Sequence, residues 1–369
     1  MRTPLAMFAA AWLAGGCAGS RAGAPAMQTY PATSERIRVM GRHLREGDAV
    51  RFGASGVTFF IRFRGTALDV ALDDQVADTN GHNWFTAVVD DGAPVRFRTA
   101  PGTPRYTVAS GLRDGEHRVV LSKATEGQNG HERLRAVYAT ALLPADALPE
   151  RRIEYVGNSI TAGYGADQTP VACKTGTWYD ATHAWLAYGP TVARRVGAQW
   201  MLSAVSGIGV VRNWNSPGPV MSRVYEGVYM EYADSLTRWD FARYTPDLVI
   251  IALGTNDFSD GGGPTPRPAL DGDAFVRGYV ALVTTLRTHY PRARLLLVDS
   301  PMLDAARKQR QSEYLERVIA QRAAAGDSAL SRFAFDGHFT SGCDGHPDLA
   351  EQRRMADQLE PAVRRLMRW

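Results

Sequence analysis

The chain has 369 residues, of which 45% are hydrophobic and 22% are charged. This composition supports a sizeable core, excludes a mainly disordered protein and predicts two domains. The formal net charge of +4 comes from 42 basic and 38 acidic residues. Because these charges are spread along the chain without a block of Lys and Arg, the sequence argues against a nucleic-acid partner.

The first 17 residues predict an export signal. Arg2 is followed by an apolar run over residues 5–14, and two small residues precede Cys17. This run is shorter than the roughly 20 residues that span a bilayer, so it is typical of a cleaved signal peptide. The residues before Cys17 also resemble the lipobox of bacterial lipoproteins, which implies acylation of Cys17. Because Leu13 lies four residues before the cysteine, and the lipobox leucine lies three before it, cleavage without acylation is the alternative.

An exported state has consequences for the tether and for the cysteines. Residues 18–28 are rich in small side chains and predict a flexible tether. We expect the mature protein to be periplasmic, to be a lipoprotein of the outer membrane or cell surface, or to be secreted. We expect contact with a membrane only through a lipid anchor at Cys17. In an oxidising compartment Cys173 and Cys343 can form a disulfide, and two separate buried thiols are the alternative.

Residues 29–143 predict an antiparallel, jelly-roll-like β-sandwich. Short runs of alternating polarity recur between turn residues, and no helical period interrupts them. The dipeptide Asp91-Gly92 predicts a tight hairpin turn in which the glycine adopts the positive φ that the turn requires. Candidate strands cover residues 57–63, 67–72, 85–89, 95–98, 117–122 and 134–142.

Residues 144–150 contain two prolines and predict a linker, after which residues 151–369 follow a different pattern. Segments 153–156, 248–253 and 295–298 are continuously apolar, as in strands of a sheet that is covered on both faces. Apolar residues recur at three- and four-residue steps in 275–286 and 355–366, which predicts helices. The pattern indicates a three-layer α/β domain with a mainly parallel sheet.

Loops of small residues follow the candidate strands, where parallel sheets carry their functional groups. Ser159 follows the first strand, Gly207 follows the strand-like segment 200–204, and Asn256 follows strand 248–253. His346 lies in a further loop near the end of the chain. These four residues, in this order, resemble the blocks of the SGNH hydrolase family, which is named for its Ser, Gly, Asn and His. The resemblance covers about 151–369.

This set of residues suits ester hydrolysis. A serine hydroxyl is a weak nucleophile until a neutral imidazole takes its proton, so Ser159 is the expected nucleophile and His346 the expected general base. The oxygen of an attacked carbonyl gains negative charge and needs fixed donors. The resemblance assigns these donors to the backbone N–H groups of Ser159 and Gly207 and to the side-chain amide of Asn256. We expect glycine at 207 because a close backbone approach leaves no room for a Cβ atom.

The choice between His338 and His346 as the general base, and the role of Asp344, depend on the residues around each histidine. Asp-Gly-His occurs twice, ending at His338 and at His346. Pro347 follows His346 and suits the first turn of the terminal helix, so we expect His346 to lie at a helix start, as the family pattern requires. Asp344 precedes His346 by two residues, whereas three is usual in the family. Either the Asp344 carboxylate completes a triad or a backbone carbonyl orients the histidine.

The combination of a sandwich and an SGNH domain resembles carbohydrate esterase family 2. The likeness includes segments 41–45, 157–165 and 254–259 and the Asp-x-His-Pro sequence at 344–347. It implies removal of O-acetyl groups from plant polysaccharides through an acetyl-Ser159 intermediate, with an acetylated carbohydrate as the partner and no metal or other cofactor. Aromatic residues at Trp178, Tyr179 and Trp214 are candidates for stacking on a sugar ring, and core packing is the alternative.

Two other functions stay open at this stage. One is an SGNH esterase that acts on lipid, aryl or peptidoglycan esters, although the sequence offers no long apolar lid of the kind that a lipase uses. The other is a surface protein that binds carbohydrate without catalysis, which the presence of Ser159, Asn256 and His346 opposes. The sequence does not specify the polysaccharide, the acetylated ring position or the oligomeric state.

Overall fold

The computed structural model describes residues 26–76, 81–233, 236–265 and 267–369. The predicted signal peptide, the lipobox with Cys17 and most of the predicted tether lie outside these residues. The first strand, β1 (Gln28–Pro31), begins at the last residue of the predicted tether. Within the described ranges, no helix combines the length and the apolarity needed to cross a membrane.

The N-terminal part of the described chain forms an antiparallel sheet of ten strands that curls into a sandwich. Its hydrogen-bonded order is β3-β4-β10-β5-β9-β6-β7, with β1, β2 and β8 as side partners. In a flat sheet β4 and β6 would lie about 19 Å apart, yet the rings of Phe52 and Phe85 on these strands are 6.3 Å apart. The sheet therefore folds over on itself, which confirms the predicted sandwich. The other strands are β2 (Arg38–Met40), β3 (His43–Glu46), β4 (Ala49–Phe52), β5 (Thr58–Asp74), β6 (Trp84–Val89), β7 (Val95–Arg98), β8 (Arg105–Ala109), β9 (Gly115–Lys123) and β10 (Glu132–Leu143).

Two details of the sandwich differ from the sequence-based expectation. Segments 57–63 and 67–72 belong to one strand, β5, because Gly65 at φ +136° lets the chain continue through a bulge opposite Thr140. A Cβ atom at Gly65 would lie 2.6 Å from the Thr140 hydroxyl. The hairpin between β6 and β7 is present, but its positive φ angles belong to Asp90 and Asp91. Aspartate tolerates this conformation, so the turn lies one residue earlier than predicted.

The C-terminal part forms the predicted three-layer α/β domain. Its sheet is parallel in the order β12-β11-β13-β14-β15. Apolar residues of β13 alternate between two cores, one shared with α5 and α6 and the other with α2 and α7, so the apolar runs reflect burial on both faces. The described elements are β11 (Arg151–Gly157), α1 (Ser159–Ala162), α2 (Tyr188–Arg195), β12 (Ala198–Ala204), α3 (Met221–Val224), β13 (Leu248–Ala252), α4 (Thr255–Phe258), α5 (Gly272–His289), β14 (Arg294–Val298), α6 (Ala305–Ala324), β15 (Leu330–Phe333) and α7 (Leu349–Met367).

A buried ion pair joins the sandwich to the α/β domain. Arg42, which is fully buried, lies 3.1 Å from the Glu154 carboxylate on β11. Its guanidinium also donates to the backbone carbonyls of Tyr225 and Gly227, at 2.6 and 2.7 Å. Removing one partner of such a pair leaves a buried charge without compensation and typically costs about 3–5 kcal/mol. The two domains therefore hold a fixed arrangement.

Candidate active site

The topology of the parallel sheet brings three predicted residues to one edge. The chain passes from β11 to β12 on one side and then crosses to β13 on the other, which creates a crevice at the carboxyl ends of the strands. Gly157, the last residue of β11, is in register with Ala204 of β12 and Ala252 of β13. The loops that carry Ser159, Gly207 and Asn256 therefore leave the sheet at the same level.

Ser159 lies at the start of the short helix α1. The side chain of Asn158, the N-cap residue, accepts a hydrogen bond from the Ile160 N–H at 3.1 Å. Gly163 ends the helix at φ +79°. The first N–H groups of a helix have no intrahelical acceptor, so the Ser159 N–H stays available to a ligand. Only 5% of the Ser159 surface is exposed, and its hydroxyl is held at the floor of the crevice.

The structure brings His346 to Ser159 and keeps His338 away. The His346 Nε2 atom lies 2.8 Å from the Ser159 Oγ atom. His338 is exposed, and its Nε2–H donates to the Met302 carbonyl at 2.8 Å. The turn that carries His346 is tied to a second loop, because Cys343 forms a disulfide with Cys173.

Asp344 contacts His346 through its backbone. The His346 Nδ1–H donates to the Asp344 carbonyl at 3.2 Å, whereas the Asp344 carboxylate accepts a hydrogen bond from the Tyr164 hydroxyl at 2.6 Å. The Tyr164 ring also packs edge-on against the imidazole, with centroids 4.6 Å apart. Of the two alternatives in the sequence, the geometry corresponds to a Ser–His pair oriented by a backbone carbonyl.

The protonation of His346 suits a general base. Burial is the largest influence and lowers the pKa of His346 to about 4, although hydrogen bonds with the backbone of Asp344 and Cys343 oppose this shift. The ring is therefore neutral at pH 7. With its proton on Nδ1 facing the Asp344 carbonyl, the lone pair of Nε2 faces the Ser159 hydroxyl.

Gly207 and Asn256 border the same crevice. A Cβ atom at Gly207 would come no nearer than 3.9 Å to another residue, so close approach within the protein does not explain this glycine. The φ of +77° explains why glycine occupies this position, because residues with a Cβ atom disfavour that backbone conformation. Among the described residues the Gly207 N–H donates no hydrogen bond. The Asn256 amide donates to the Ile208 carbonyl at 2.7 Å and retains a second N–H.

Comparison with known proteins assigns the family. The model named Carbohydrate esterase 2 N-terminal matches residues 39–145, and that of the GDSL-like Lipase/Acylhydrolase family matches residues 155–363. A Cellvibrio japonicus protein named acetylxylan esterase / glucomannan deacetylase is 33% identical over 345 residues, which cover 89% of this chain and 92% of the relative. The chain belongs to carbohydrate esterase family 2. It is thus an ester hydrolase of the SGNH type.

Solved structures support the same assignment. A family two carbohydrate esterase from Cellvibrio japonicus superimposes with a TM-score of 0.82 at 26% identity, covering 93% of this chain and 98% of that one. A family two carbohydrate esterase from Clostridium thermocellum, solved in complex with cellohexaose, gives a TM-score of 0.80 at 29% identity. That match covers 90% of this chain and 99% of the other. The sandwich and the α/β domain are thus both typical of the family.

Two residues that support the site of this esterase were missed by the sequence-based reasoning. Tyr164 lies within the first motif, but nothing in its spacing indicates a hydrogen bond to Asp344. Asp257 directly follows Asn256 and is fully buried. Its carboxylate accepts the N–H groups of the loop after Gly207, at 2.8–3.1 Å, from Val210, Val211 and Arg212.

Removing the Asp344 carboxylate is expected to have a small effect. In D344N the backbone carbonyl that holds His346 remains, and Asn tolerates the positive φ of this residue. We expect kcat/KM for ester hydrolysis to fall by less than about tenfold, whereas loss of the Asp from a working triad costs about 10⁴-fold in kcat. Y164F, which removes the partner of the carboxylate, is expected to behave alike. A loss of about 10³-fold or more in D344N alone would show that the Asp344 carboxylate acts as the third member of a catalytic triad.

The lowered pKa of His346 predicts esterase activity that survives mild acid. His346 acts as a base only when neutral, so kcat/KM is expected to persist as the pH falls below the ordinary histidine value of 6.5 and to halve near pH 4. The same shift predicts that the free energy of unfolding decreases below pH 6.5, because the unfolded chain binds the proton more readily. A pH profile of kcat/KM checks this, with circular dichroism at each pH. An acid limb centred at pH 6–7 in folded protein would contradict it.

Proposed function

We propose that this protein removes O-acetyl groups from plant cell-wall polysaccharides or their oligosaccharides, such as xylan or glucomannan. The observation that carries the proposal is the 2.8 Å contact between Ser159 Oγ and His346 Nε2 at the open edge of the sheet. A relative that spans most of the chain is named acetylxylan esterase / glucomannan deacetylase, and this name supports the choice of substrate.

The first half of the reaction forms an acetyl-enzyme. The Ser159 oxygen attacks the acetyl carbonyl while its proton passes to His346 Nε2. The carbonyl oxygen becomes an oxyanion that accepts hydrogen bonds from the N–H groups of Ser159 and Gly207 and from the Asn256 amide. When the tetrahedral intermediate collapses, the bond to the sugar oxygen breaks, and the protonated His346 gives its proton to that oxygen. The sugar leaves with a free hydroxyl group.

The second half regenerates the serine. His346, neutral again, takes a proton from a water molecule that attacks the acetyl carbonyl of acetyl-Ser159. The same donors hold the second oxyanion. Collapse releases acetic acid, and the proton on Nε2 returns to the Ser159 oxygen. No step requires the Asp344 carboxylate, because its backbone carbonyl keeps the imidazole in the correct tautomer.

Two exposed tryptophans support a carbohydrate substrate. Trp178 and Trp214 have 49% and 46% of their surface exposed, whereas Tyr179 is buried. Trp178 packs against Tyr164, beside His346. The backbone of Trp214 donates to the Gly207 carbonyl at 2.7 Å, and a cavity of about 480 Å³ lies next to its ring. Exposed flat apolar rings beside Tyr164 and Gly207 suit stacking against sugars.

Acetate release tests the proposed substrate class. We expect the protein to release acetate from acetylated glucomannan or acetylated xylan, and to hydrolyse 4-nitrophenyl acetate faster than esters of long acyl chains. Activity confined to long-chain, aryl or peptidoglycan esters would replace the carbohydrate assignment. Binding of these polysaccharides without acetate release would indicate a surface protein that binds carbohydrate without catalysis.

The tryptophans supply a test of how the polymer binds. W178A and W214A are each expected to raise KM for acetylated glucomannan by up to roughly tenfold, since a stacking contact of an aromatic ring is worth about 0.5–1.5 kcal/mol. Hydrolysis of 4-nitrophenyl acetate, which lacks the sugar, is expected to change less than about twofold. Equal losses on both substrates would show that the tryptophans act by packing instead.

We propose that the mature protein is exported. The Cys173–Cys343 disulfide supports an oxidising compartment. Whether Cys17 is acylated or the chain is cut without acylation is decided by mass spectrometry of the mature N-terminus. A mature protein in the cytoplasm with free thiols at both positions would contradict export.

A further inference from the structure

Glu126 is a buried carboxylate that the reaction steps above do not use. It lies in the connection between β9 and β10 of the sandwich, and 1% of its surface is exposed. One carboxylate oxygen accepts the Ser206 N–H at 2.6 Å, and the other contacts the Ser206 hydroxyl. Both oxygens of Glu126 are therefore hydrogen-bonded to Ser206, the residue that precedes Gly207.

The peptide between Ser206 and Gly207 links this contact to the oxyanion. A peptide group is planar and trans, so the Ser206 carbonyl and the Gly207 N–H point in opposite directions. The carbonyl accepts hydrogen bonds from the Tyr232 hydroxyl at 3.3 Å and the Gln128 amide at 3.4 Å. These bonds fix the plane of the peptide group and, with it, the direction of the Gly207 N–H.

The segment that carries Glu126 is itself held in place. Lys123 Nζ donates to the Glu126 carbonyl at 2.9 Å and to the Gly53 carbonyl at 2.7 Å. A Cβ atom at Gly127 would lie 1.9 Å from the Tyr229 carbonyl oxygen, so the sandwich meets the α/β domain here with no space between them. The sandwich therefore presents Glu126 to Ser206 as a fixed group.

The protonation of Glu126 does not break this contact. Burial is the main cause that raises the pKa of Glu126 to about 7, while Ser206 and Lys123 oppose the shift. In the charged form both oxygens accept from Ser206. In the neutral form one oxygen still accepts the Ser206 N–H, and the acid proton is donated to the hydroxyl, which accepts as well as donates. The contact thus holds on both sides of neutrality.

We propose that Glu126 is a positioning residue for the esterase reaction, which acts through Ser206 to hold the Gly207 N–H toward the oxyanion. The N-terminal sandwich then takes part in catalysis through this contact. This inference rests on the proposed function, since it presupposes an oxyanion at Gly207.

The test compares two substitutions of Glu126 in the full chain. E126A removes both contacts, whereas E126Q keeps an acceptor for the Ser206 N–H and a donor for the hydroxyl. Active sites are titrated with a fluorophosphonate, and kcat for 4-nitrophenyl acetate is expressed per reactive site. We expect E126A to lower this kcat by roughly tenfold or more with KM changed less than about twofold, as for loss of a transition-state donor. We expect E126Q to stay within about threefold of wild type.

F63L provides the control for lost stability. Phe63 is fully buried in the same sandwich and pairs with His117 of β9, at the opposite end of that strand from Lys123. It is expected to lower stability without lowering kcat per reactive site. An unchanged kcat per site in E126A, or the same loss in F63L, would overturn the inference.

A second variant covers the case in which E126A does not fold. E126D keeps the buried carboxylate, but its side chain is one methylene shorter and cannot place both oxygens on Ser206, so it is expected to lower kcat per reactive site by about threefold to tenfold with KM unchanged. A normal kcat in E126D would also overturn the inference. S159A separates failure of the proposed function from failure of the inference about Glu126. An active S159A would refute the proposed function. An inactive S159A together with a normal E126A would refute only the role of Glu126.

Discussion

Replacement of Ser159 by Ala is expected to reduce acetate release by at least roughly 10⁴-fold, because removal of a serine nucleophile eliminates the acyl-enzyme route. Within the part of the chain that the structure describes, the hydroxyl has one neighbour that can activate it, His346 Nε2 at 2.8 Å, and it lies where three strand-end loops meet. The measurement is kcat/KM on acetylated glucomannan and on 4-nitrophenyl acetate.

The S159A variant is expected to fold normally. The substitution removes one oxygen atom from a residue whose helix is capped by Asn158 and Gly163 and not by the Ser159 side chain. Polysaccharide binding is therefore expected to persist. S331A is a suitable control, because the Ser331 hydroxyl on β15 is buried without a partner among the described residues. Substantial activity in S159A, with S331A as wild type, would refute the mechanism.

Replacement of His346 by Ala is expected to lower kcat by at least about 10³-fold, because Ser159 loses the base that lies beside it. His338 supplies a matched control within the same chain, since its Asp-Gly-His spelling is identical and its ring is bound to the Met302 carbonyl. H338A is expected to change kcat by less than about twofold. The reverse result would exchange the two roles.

Added imidazole separates loss of the base from loss of packing. Truncation of His346 leaves space next to Ser159 and Tyr164, where a free imidazole can accept the serine proton. Partial recovery of H346A activity that rises with imidazole concentration is expected, and S159A should show none. Recovery in both variants would indicate hydrolysis by imidazole itself.

Much of the fold could be predicted from local patterns. The apolar runs of β11, β13 and β14 indicate strands that are buried on both faces. The alternating runs of the sandwich indicate strands with one solvent-exposed face. The helix α6 was not predicted, because few of its residues are buried and its apolar stripe is narrow. The terminal helix begins at Leu349, after the cap residue Asp348, so Pro347 precedes the helix and does not lie in its first turn.

The candidate site divides into what spacing can predict and what it cannot. Ser159 and His346 could be paired from sequence because strand-end loops converge and a family pattern orders them. The sequence could not show whether the backbone carbonyl or the carboxylate of Asp344 orients His346, because both groups belong to the same residue. Glu126 carries no sequence signal, because its contact with Ser206 depends on how two domains pack, and a carboxylate in a sandwich loop is ordinarily a surface residue.

The most direct test of the account is the site of covalent labelling by a fluorophosphonate. Wild-type protein is reacted until acetate release from acetylated glucomannan stops, and the adduct is located by peptide mass spectrometry. We predict one phosphonyl group on the Ser159 hydroxyl, with activity lost in proportion to labelling, and no adduct in S159A. Complete labelling of Ser159 with activity retained, or loss of activity through an adduct on another residue, would contradict the central claim.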